Sequence, residues 1–140
     1  MKRIDTAALA ATVLRLSLGL ILVAHALLKV LVFTMPGTAG FFESQGFPGW
    51  AAYPVVAIEG IGGLMMIAGY RVRHAALASI PVLLGALTVH AGNGWLFTAT
   101  NGGWEYPALL VVLAAVVALM GEGAFALGAR STNPLRVATA

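Results

Sequence analysis

The 140-residue chain has no cysteine and few charged residues. Without cysteine, disulfides, iron–sulfur clusters and thiol redox chemistry within the chain are excluded, so redox chemistry would need a substrate, a cofactor or a partner. Charged residues make up 9% of the chain, whereas a soluble domain carries about 25%. So few charges cannot cover a water-exposed surface, and membrane lipid is the expected surroundings. The basic residues form no cluster of the kind that binds nucleic acid.

Long apolar stretches are what the chain has in abundance. A membrane-spanning helix needs about 20 mostly apolar residues, and four stretches qualify, at about 8–33, 52–70, 75–97 and 107–127. Breaks rich in proline and glycine separate them. The sequence therefore predicts an all-α fold, a single integral membrane domain over residues 1–140 built as a four-helix up-down transmembrane bundle. Phe41 to Trp50 is too aromatic for a loop, which predicts a short re-entrant or interfacial helix there.

The basic residues outside the four spans all fall on one side of them. These six basic residues are Lys2, Arg3, Arg71, Arg73, Arg130 and Arg136. The connections between the first and second spans and between the third and fourth spans contain no lysine or arginine. Because cytoplasmic segments carry the excess of these residues, both termini are predicted to be cytoplasmic.

Ionisable side chains within the spans gather towards the outer side. At a rise of about 1.5 Å per residue, His25, Glu59 and His90 lie roughly 10 Å below the outer boundary. Lys29, Asn93 and Glu105 lie closer to it. Ionisable groups at membrane depth are costly and usually face a cavity or a partner. The sequence therefore predicts a polar site in the outer half of the bundle.

Structural roles compete with functional ones for these residues. Arg15 is predicted to be a structural charge partner that reaches the cytoplasmic headgroups or pairs with Glu59 or Glu122. Lys29 can extend to the outer headgroups, and Glu105 can stabilise a helix N-terminus. His25 and His90 suit interhelical hydrogen bonds as well as a cavity wall, and Asn93 suits a structural turn.

Three site chemistries fit such a set to different degrees. A quinone needs hydrogen-bonding groups at its carbonyls, a proton route and an apolar slot, and His25, Lys29, Glu59 and His90 supply the polar part. A haem b held by His25 and His90 is the weaker hypothesis, because no other feature supports it. No spacing motif indicates a metal site.

Several segments resemble the DoxX family over about Leu14 to Leu127. They are Arg15-x-x-x-Gly19, His25-Ala26-Leu27-Leu28-Lys29, Gly40 to Pro48, Glu59-Gly60-x-Gly62-Gly63, Val89-His90-x-Gly92-Asn93-Gly94, Gly102-Gly103-Trp104-Glu105-Tyr106-Pro107 and Gly121 to Leu127. The resemblance implies four helices in the bacterial cytoplasmic membrane and an oxidoreductase role, since relatives include the large subunit of thiosulfate:quinone oxidoreductase. It maps the family's polar positions onto Arg15, His25, Lys29, Glu59, His90, Asn93 and Glu105.

The resulting hypothesis is a quinone-linked membrane oxidoreductase, or the quinone-interacting subunit of a membrane redox complex. Its catalytic residues are His25, Lys29, Glu59 and His90, and its cofactor-binding residues are His25, Lys29, His90, Asn93 and Glu105. Lys29 and His25 bond one quinone carbonyl, His90 exchanges the proton, Glu59 sets the charge state of Lys29 or His25, and Glu105 opens towards outer water. The alternatives are a non-catalytic anchor or assembly subunit and a small-solute or proton carrier. Redox partner subunits and a homo-oligomer are both compatible with the sequence.

Overall fold

The computed structural model describes residues 5–128, and every regular element in that part of the chain is helical. The all-α prediction is therefore confirmed for these residues. Five helices follow one another: α1 Thr6–Val32, α2 Met35–Ser44, α3 Gly49–Ala68, α4 Val72–Asn93 and α5 Glu105–Met120. Helices α1, α3 and α4 are long and apolar enough to cross a membrane. Helix α5 is apolar but only 16 residues long, or about 24 Å, so the count of four spans stays a prediction.

Helices α1, α3, α4 and α5 pack as a ring. Contacts join α1 to α3, α3 to α4, α4 to α5 and α5 back to α1. Helices α1 and α4 therefore lie diagonally across the ring from each other. Leu18, Leu22 and Met66 fill the middle of the ring, each at most 1% exposed. The remaining helix, α2, lies outside the ring and packs against the last turn of α1 and the first part of α3.

Helices α1 and α3 cross at a pair of glycines, Gly19 and Gly63. A Cβ atom added at Gly63 would lie 2.7 Å from the carbonyl oxygen of Gly19, and one added at Gly19 would lie 2.7 Å from the carbonyl oxygen of Gly63. Only a residue without a side chain allows two backbones to approach this closely. The crossing sets the distance between α1 and α3, and these two helices carry Lys29 and Glu59.

The chain after α5 turns back into the bundle. The sequence predicted helix to residue 127, but α5 ends at Met120 because Gly121 has φ 78° and ψ −145°, a conformation outside the helical region. Ala124 N–H then donates to the carbonyl of Ala8, and Leu127 N–H donates to that of Ala68. These bonds place the start of α1, the end of α3 and the chain after α5 at one end of the ring.

Arg15 holds this end together. Its side chain is 2% exposed, and its guanidinium donates five hydrogen bonds, all to main-chain carbonyls. Two of the accepting carbonyls belong to the last turn of α3 and three belong to the segment after α5. They are those of Met66, Ile67, Glu122, Ala124 and Phe125, at 2.6–3.3 Å. The last carbonyls of a helix have no partner within the helix and carry partial negative charge. Within residues 5–128, Arg15 has no carboxylate partner, so its structural role is exercised through carbonyls alone.

Substitution of Gly63 by alanine is expected to lower the free energy of unfolding by ~1–3 kcal/mol, because the new methyl group overlaps the backbone of α1. The measurement is thermal unfolding in detergent. The control is Gly40→Ala on α2, where an added Cβ meets nothing within 4 Å. Equal melting temperatures for the two variants would contradict the glycine crossing.

Replacement of Arg15 by lysine is expected to lower the free energy of unfolding by ~2–4 kcal/mol, since an ammonium has three donors for five carbonyls and leaves at least two unpaired. Arg73→Lys is the matched control, because Arg73 is exposed in the first turn of α4. A loss no larger than that of the control would mean that the carbonyls find other partners.

Candidate ligand cavity in the half of the ring opposite Arg15

A cavity of about 310 Å³ lies in the half of the ring opposite Arg15. All five helices contribute to its walls, which are mostly apolar. Four ionisable side chains chosen from the sequence line it together, namely His25, Lys29, Glu59 and His90. The other lining residues are Ile21, Leu22, Phe41, Phe42, Gln45, Phe47, Ala51, Val55, Pro81, Val82, Leu83, Gly85, Ala86, Val89, Tyr106, Pro107 and Leu110.

Lys29 and Glu59 form an ion pair in the wall of the cavity. The Nζ of Lys29 lies 2.7 Å from each carboxylate oxygen of Glu59, and the side chains are 18% and 7% exposed. An isolated charge in an apolar interior is strongly unfavourable, so each residue supplies the partner that the other requires. The two bonds use two of the three N–H groups of the ammonium, and the third is left for another acceptor.

Both members of the pair stand in π-helical turns. Lys29 lies in the π turn Leu28–Val32 at the end of α1, and Glu59 lies in the π turn Ile58–Gly62 within α3. Such turns are rare and occur frequently at functional sites. Thr38 of α2 donates from Oγ1 to the carbonyl of Lys29 at 3.1 Å, which ties α2 to the turn that carries the ammonium.

His25 bonds to its own helix. Its Nδ1 lies 2.8 Å from the carbonyl oxygen of Ile21, one turn earlier. A carbonyl oxygen can only accept, so Nδ1 carries the proton in this contact. Among residues 5–128, Nε2 has no hydrogen-bond partner, and the ring lines the cavity.

His90 and Asn93 hold the loop between α4 and α5. The Nδ1 of His90 lies 3.0 Å from the carbonyl oxygens of both Asn101 and Gly102. The side-chain amide of Asn93 donates to the same two carbonyls, at 3.2 and 2.9 Å. His90 also lines the cavity, whereas Asn93 does not. A ligand in the cavity would therefore meet Asn93 only through the loop that it holds.

Glu105 also binds the loop that precedes its helix. Its Oε1 accepts from the backbone N–H of Phe97 at 2.8 Å, while its own N–H donates to the carbonyl of Trp95. Glu105 is the first residue of α5, where a carboxylate is also favoured by the helix dipole. It does not line the cavity, so its role as an opening towards outer water stays a prediction.

Helix α2 and the residues after it cover the cavity with aromatic rings. Phe41, Phe42 and Phe47 line the cavity, and the rings of Phe42 and Phe47 are 6.2 Å apart. The sequence indicated a short helix near these phenylalanines, but α2 begins at Met35, because Thr34 accepts a hydrogen bond from Gly37 and Pro36 suits a first turn. Gln45 and Tyr106 were not selected as site residues. In the sequence, only the high aromatic content of Phe41 to Trp50 indicated that this segment covers the cavity.

Comparisons with known proteins agree on one family. The DoxX family model matches residues 10–91, more than half of the chain, and this range includes all four ionisable residues of the cavity. A Bacillus subtilis (strain 168) protein named "Putative oxidoreductase CatD" is 34% identical over 115 residues, which cover 81% of this chain and 81% of that protein. No solved structure matches the chain.

Loss of either member of the ion pair should destabilise the protein more than loss of both. We expect Lys29→Met and Glu59→Met each to lower the free energy of unfolding by ~2–3 kcal/mol, because each leaves a charge buried without its partner. The double variant should lie within ~1 kcal/mol of the wild type. Thermal unfolding of all four proteins in detergent measures the coupling, and losses that simply add would contradict it.

Proposed function

This chain belongs to the DoxX family, and we propose that its cavity binds the headgroup of a quinone, as a quinone-linked membrane oxidoreductase or the quinone-facing subunit of one. The family expected from the sequence is confirmed by the family model and by the relative. The relative is named as an oxidoreductase, which supports the reaction class proposed for this chain.

One observation carries the proposal: a single, mostly apolar cavity contains two imidazoles, an ammonium and a carboxylate. A quinone headgroup is an apolar ring with polar oxygens on opposite sides. Its ring suits walls formed by Phe41, Phe42 and Val55, and its oxygens need polar groups at separate points of the wall. A volume of about 310 Å³ lies at the lower end of the range of small-molecule sites, about 300–1,000 Å³.

The polar groups have distinct roles in this proposal. The third N–H of Lys29 donates to a quinone oxygen, and Glu59 holds the ammonium in position through its two hydrogen bonds. His25 and His90 exchange protons with the ligand oxygens through Nε2, because Nδ1 of each ring is bonded to the backbone. Electrons come from a donor that meets the ligand directly or from a partner subunit.

The proposal includes the arrangement in the membrane. Helices α1, α3 and α4 span the bilayer, and α5 crosses with them as the fourth, shorter span in the bacterial cytoplasmic membrane. Arg71 lies in the turn between α3 and α4, and Arg73 lies in the first turn of α4, both at the end where α1 begins. Because cytoplasmic segments carry the excess of arginine and lysine, these two residues support the proposal that both termini are cytoplasmic. The other four basic residues of that prediction, Lys2, Arg3, Arg130 and Arg136, lie outside the described residues.

A carrier function fits the geometry less well. Below the cavity, Leu18, Leu22 and Met66 are buried and fill the ring. Beyond them, all five donors of Arg15 are engaged by carbonyls. A solute or proton would have to displace both layers to cross, so a site entered from one side is the better description.

Quinone binding can be tested on the purified protein in detergent. Decylubiquinone is titrated while tryptophan fluorescence is recorded, with wild type, Lys29→Met/Glu59→Met and the control Ser17→Ala, which is exposed on α1 and outside the cavity. We expect saturable binding that weakens at least about tenfold in the double variant, because a charge-assisted hydrogen bond is lost. The control should bind like the wild type.

Two outcomes would overturn the proposal. Absence of saturable binding by the wild type would favour a non-catalytic anchor or assembly subunit. A Soret band in the absorption spectrum of the purified protein would favour a haem held by His25 and His90 instead.

A further inference from the structure

The two imidazoles of the cavity share one tautomer. In each ring Nδ1 faces only main-chain carbonyl oxygens, that of Ile21 for His25 and those of Asn101 and Gly102 for His90. Carbonyl oxygens accept hydrogen bonds and never donate them. Both Nδ1 atoms must therefore carry a proton, although the two rings stand on different helices and bond to different segments.

This tautomer decides what each ring offers to a ligand. In a neutral imidazole with its proton on Nδ1, Nε2 has a lone pair and accepts a hydrogen bond. Neither Nε2 has a hydrogen-bond partner within residues 5–128. Each histidine thus keeps one acceptor that no protein group of these residues occupies and that a donor on a ligand can satisfy.

Donors are scarcer than acceptors in the same walls. Lys29 has one N–H left after its two bonds to Glu59. Among the lining residues of the described chain, it is the only side chain that can donate a hydrogen bond but cannot accept one. Gln45 and Tyr106 can donate or accept, so they do not distinguish a ligand with hydroxyl groups from one with carbonyl oxygens. A ligand that brings hydroxyl groups satisfies more of the cavity than one that brings only carbonyl oxygens.

The two histidines stand on helices that lie across the ring from each other. His25 is on α1 and His90 is on α4, and these helices are diagonal in the ring. A planar ring that lies between them can direct one hydroxyl group towards each histidine. A quinol has this form, with two hydroxyl groups at opposite positions of an apolar ring.

We propose that the cavity selects the reduced, dihydroxy form of its aromatic ligand, a quinol, over the oxidised quinone, with Nε2 of His25 and of His90 as the acceptors. This inference rests on the proposed function, since it concerns the same cavity. It assigns the two histidines a specificity-determining role: they distinguish the redox states of the ligand by the direction of the hydrogen bond.

The test compares matched ligands at equilibrium. Decylubiquinol and decylubiquinone are titrated separately, without oxygen and at pH 8, into the purified full-length protein in detergent. A third ligand is the dimethyl ether of decylubiquinol, which keeps the ring and the tail but has no hydroxyl donor. We expect the quinol to bind about tenfold or more tighter than both others, as two hydrogen bonds from its hydroxyl groups would give.

Asparagine variants remove Nε2 and the far side of the ring. The side-chain amide nitrogen of asparagine can occupy the position of Nδ1, so His25→Asn and His90→Asn keep the bond to the backbone carbonyl and lose the acceptor at the position of Nε2. Each should weaken quinol binding about fivefold to tenfold while quinone binding changes less than about twofold. Unchanged melting temperatures would show that the loop between α4 and α5 and helix α1 are intact. The variant His90→Phe loses both ring nitrogens, so it measures how loss of the bonds to the loop affects the melting temperature and binding.

The outcomes separate this inference from the proposed function. Equal binding of quinol and quinone, or tighter binding of the quinone, overturns the selection of the reduced form and leaves quinone binding standing. A preference for the quinol that persists in both asparagine variants also overturns it, because the acceptors would then lie elsewhere. Failure of all three ligands to bind removes the proposed function, and this inference with it.

Discussion

A polar group inside a bundle surrounded by lipid can find partners only within the protein, and this constraint organises the whole molecule. Each charged or polar side chain in the interior is matched to a specific partner: Arg15 to carbonyls, Lys29 to Glu59, and both cavity histidines to backbone oxygens. Among residues 5–128, no buried side-chain nitrogen or oxygen lacks a hydrogen bond. The helices are therefore positioned by polar contacts as well as by packing, since lipid supplies no hydrophobic drive between helices.

The same constraint has different results at the two ends of the ring. At one end the chain after α5 folds inwards, and its carbonyls saturate the guanidinium of Arg15, so nothing polar is left for a ligand. At the other end the partners are only partly saturated. Lys29 retains one N–H, and His25 and His90 each retain Nε2. Unused bonding capacity beside apolar walls is the property that makes this end, rather than the other, suitable for a small ligand.

The spans and the polar layer were accessible to sequence reasoning because hydropathy and ionisable residues are local signals. Depth along each helix brought His25, Glu59 and His90 into one layer with Lys29 nearer the outer surface, and these four residues line one cavity. Properties that depend on three-dimensional contacts were not accessible. Nothing local shows that α2 covers the cavity, or that Arg15 finds carbonyls instead of a carboxylate. The histidine tautomers depend on carbonyls up to twelve residues away.

The π turns at Lys29 and Glu59 have a consequence for how the chain can vary in length. A π turn holds one residue more than an α turn, and each residue of an α-helix advances by about 100° around its axis. A wider turn advances each of its residues by less than this angle, so the extra residue is absorbed locally and the helix on either side keeps nearly the same orientation. Only the side chains within the turn change direction, and Lys29 and Glu59 are among the residues that stand there. Deletion of one residue in either turn would therefore move the ammonium or the carboxylate around its helix while the packing of α1 against α3 stays in place, so the ion pair depends on the residue count of both turns.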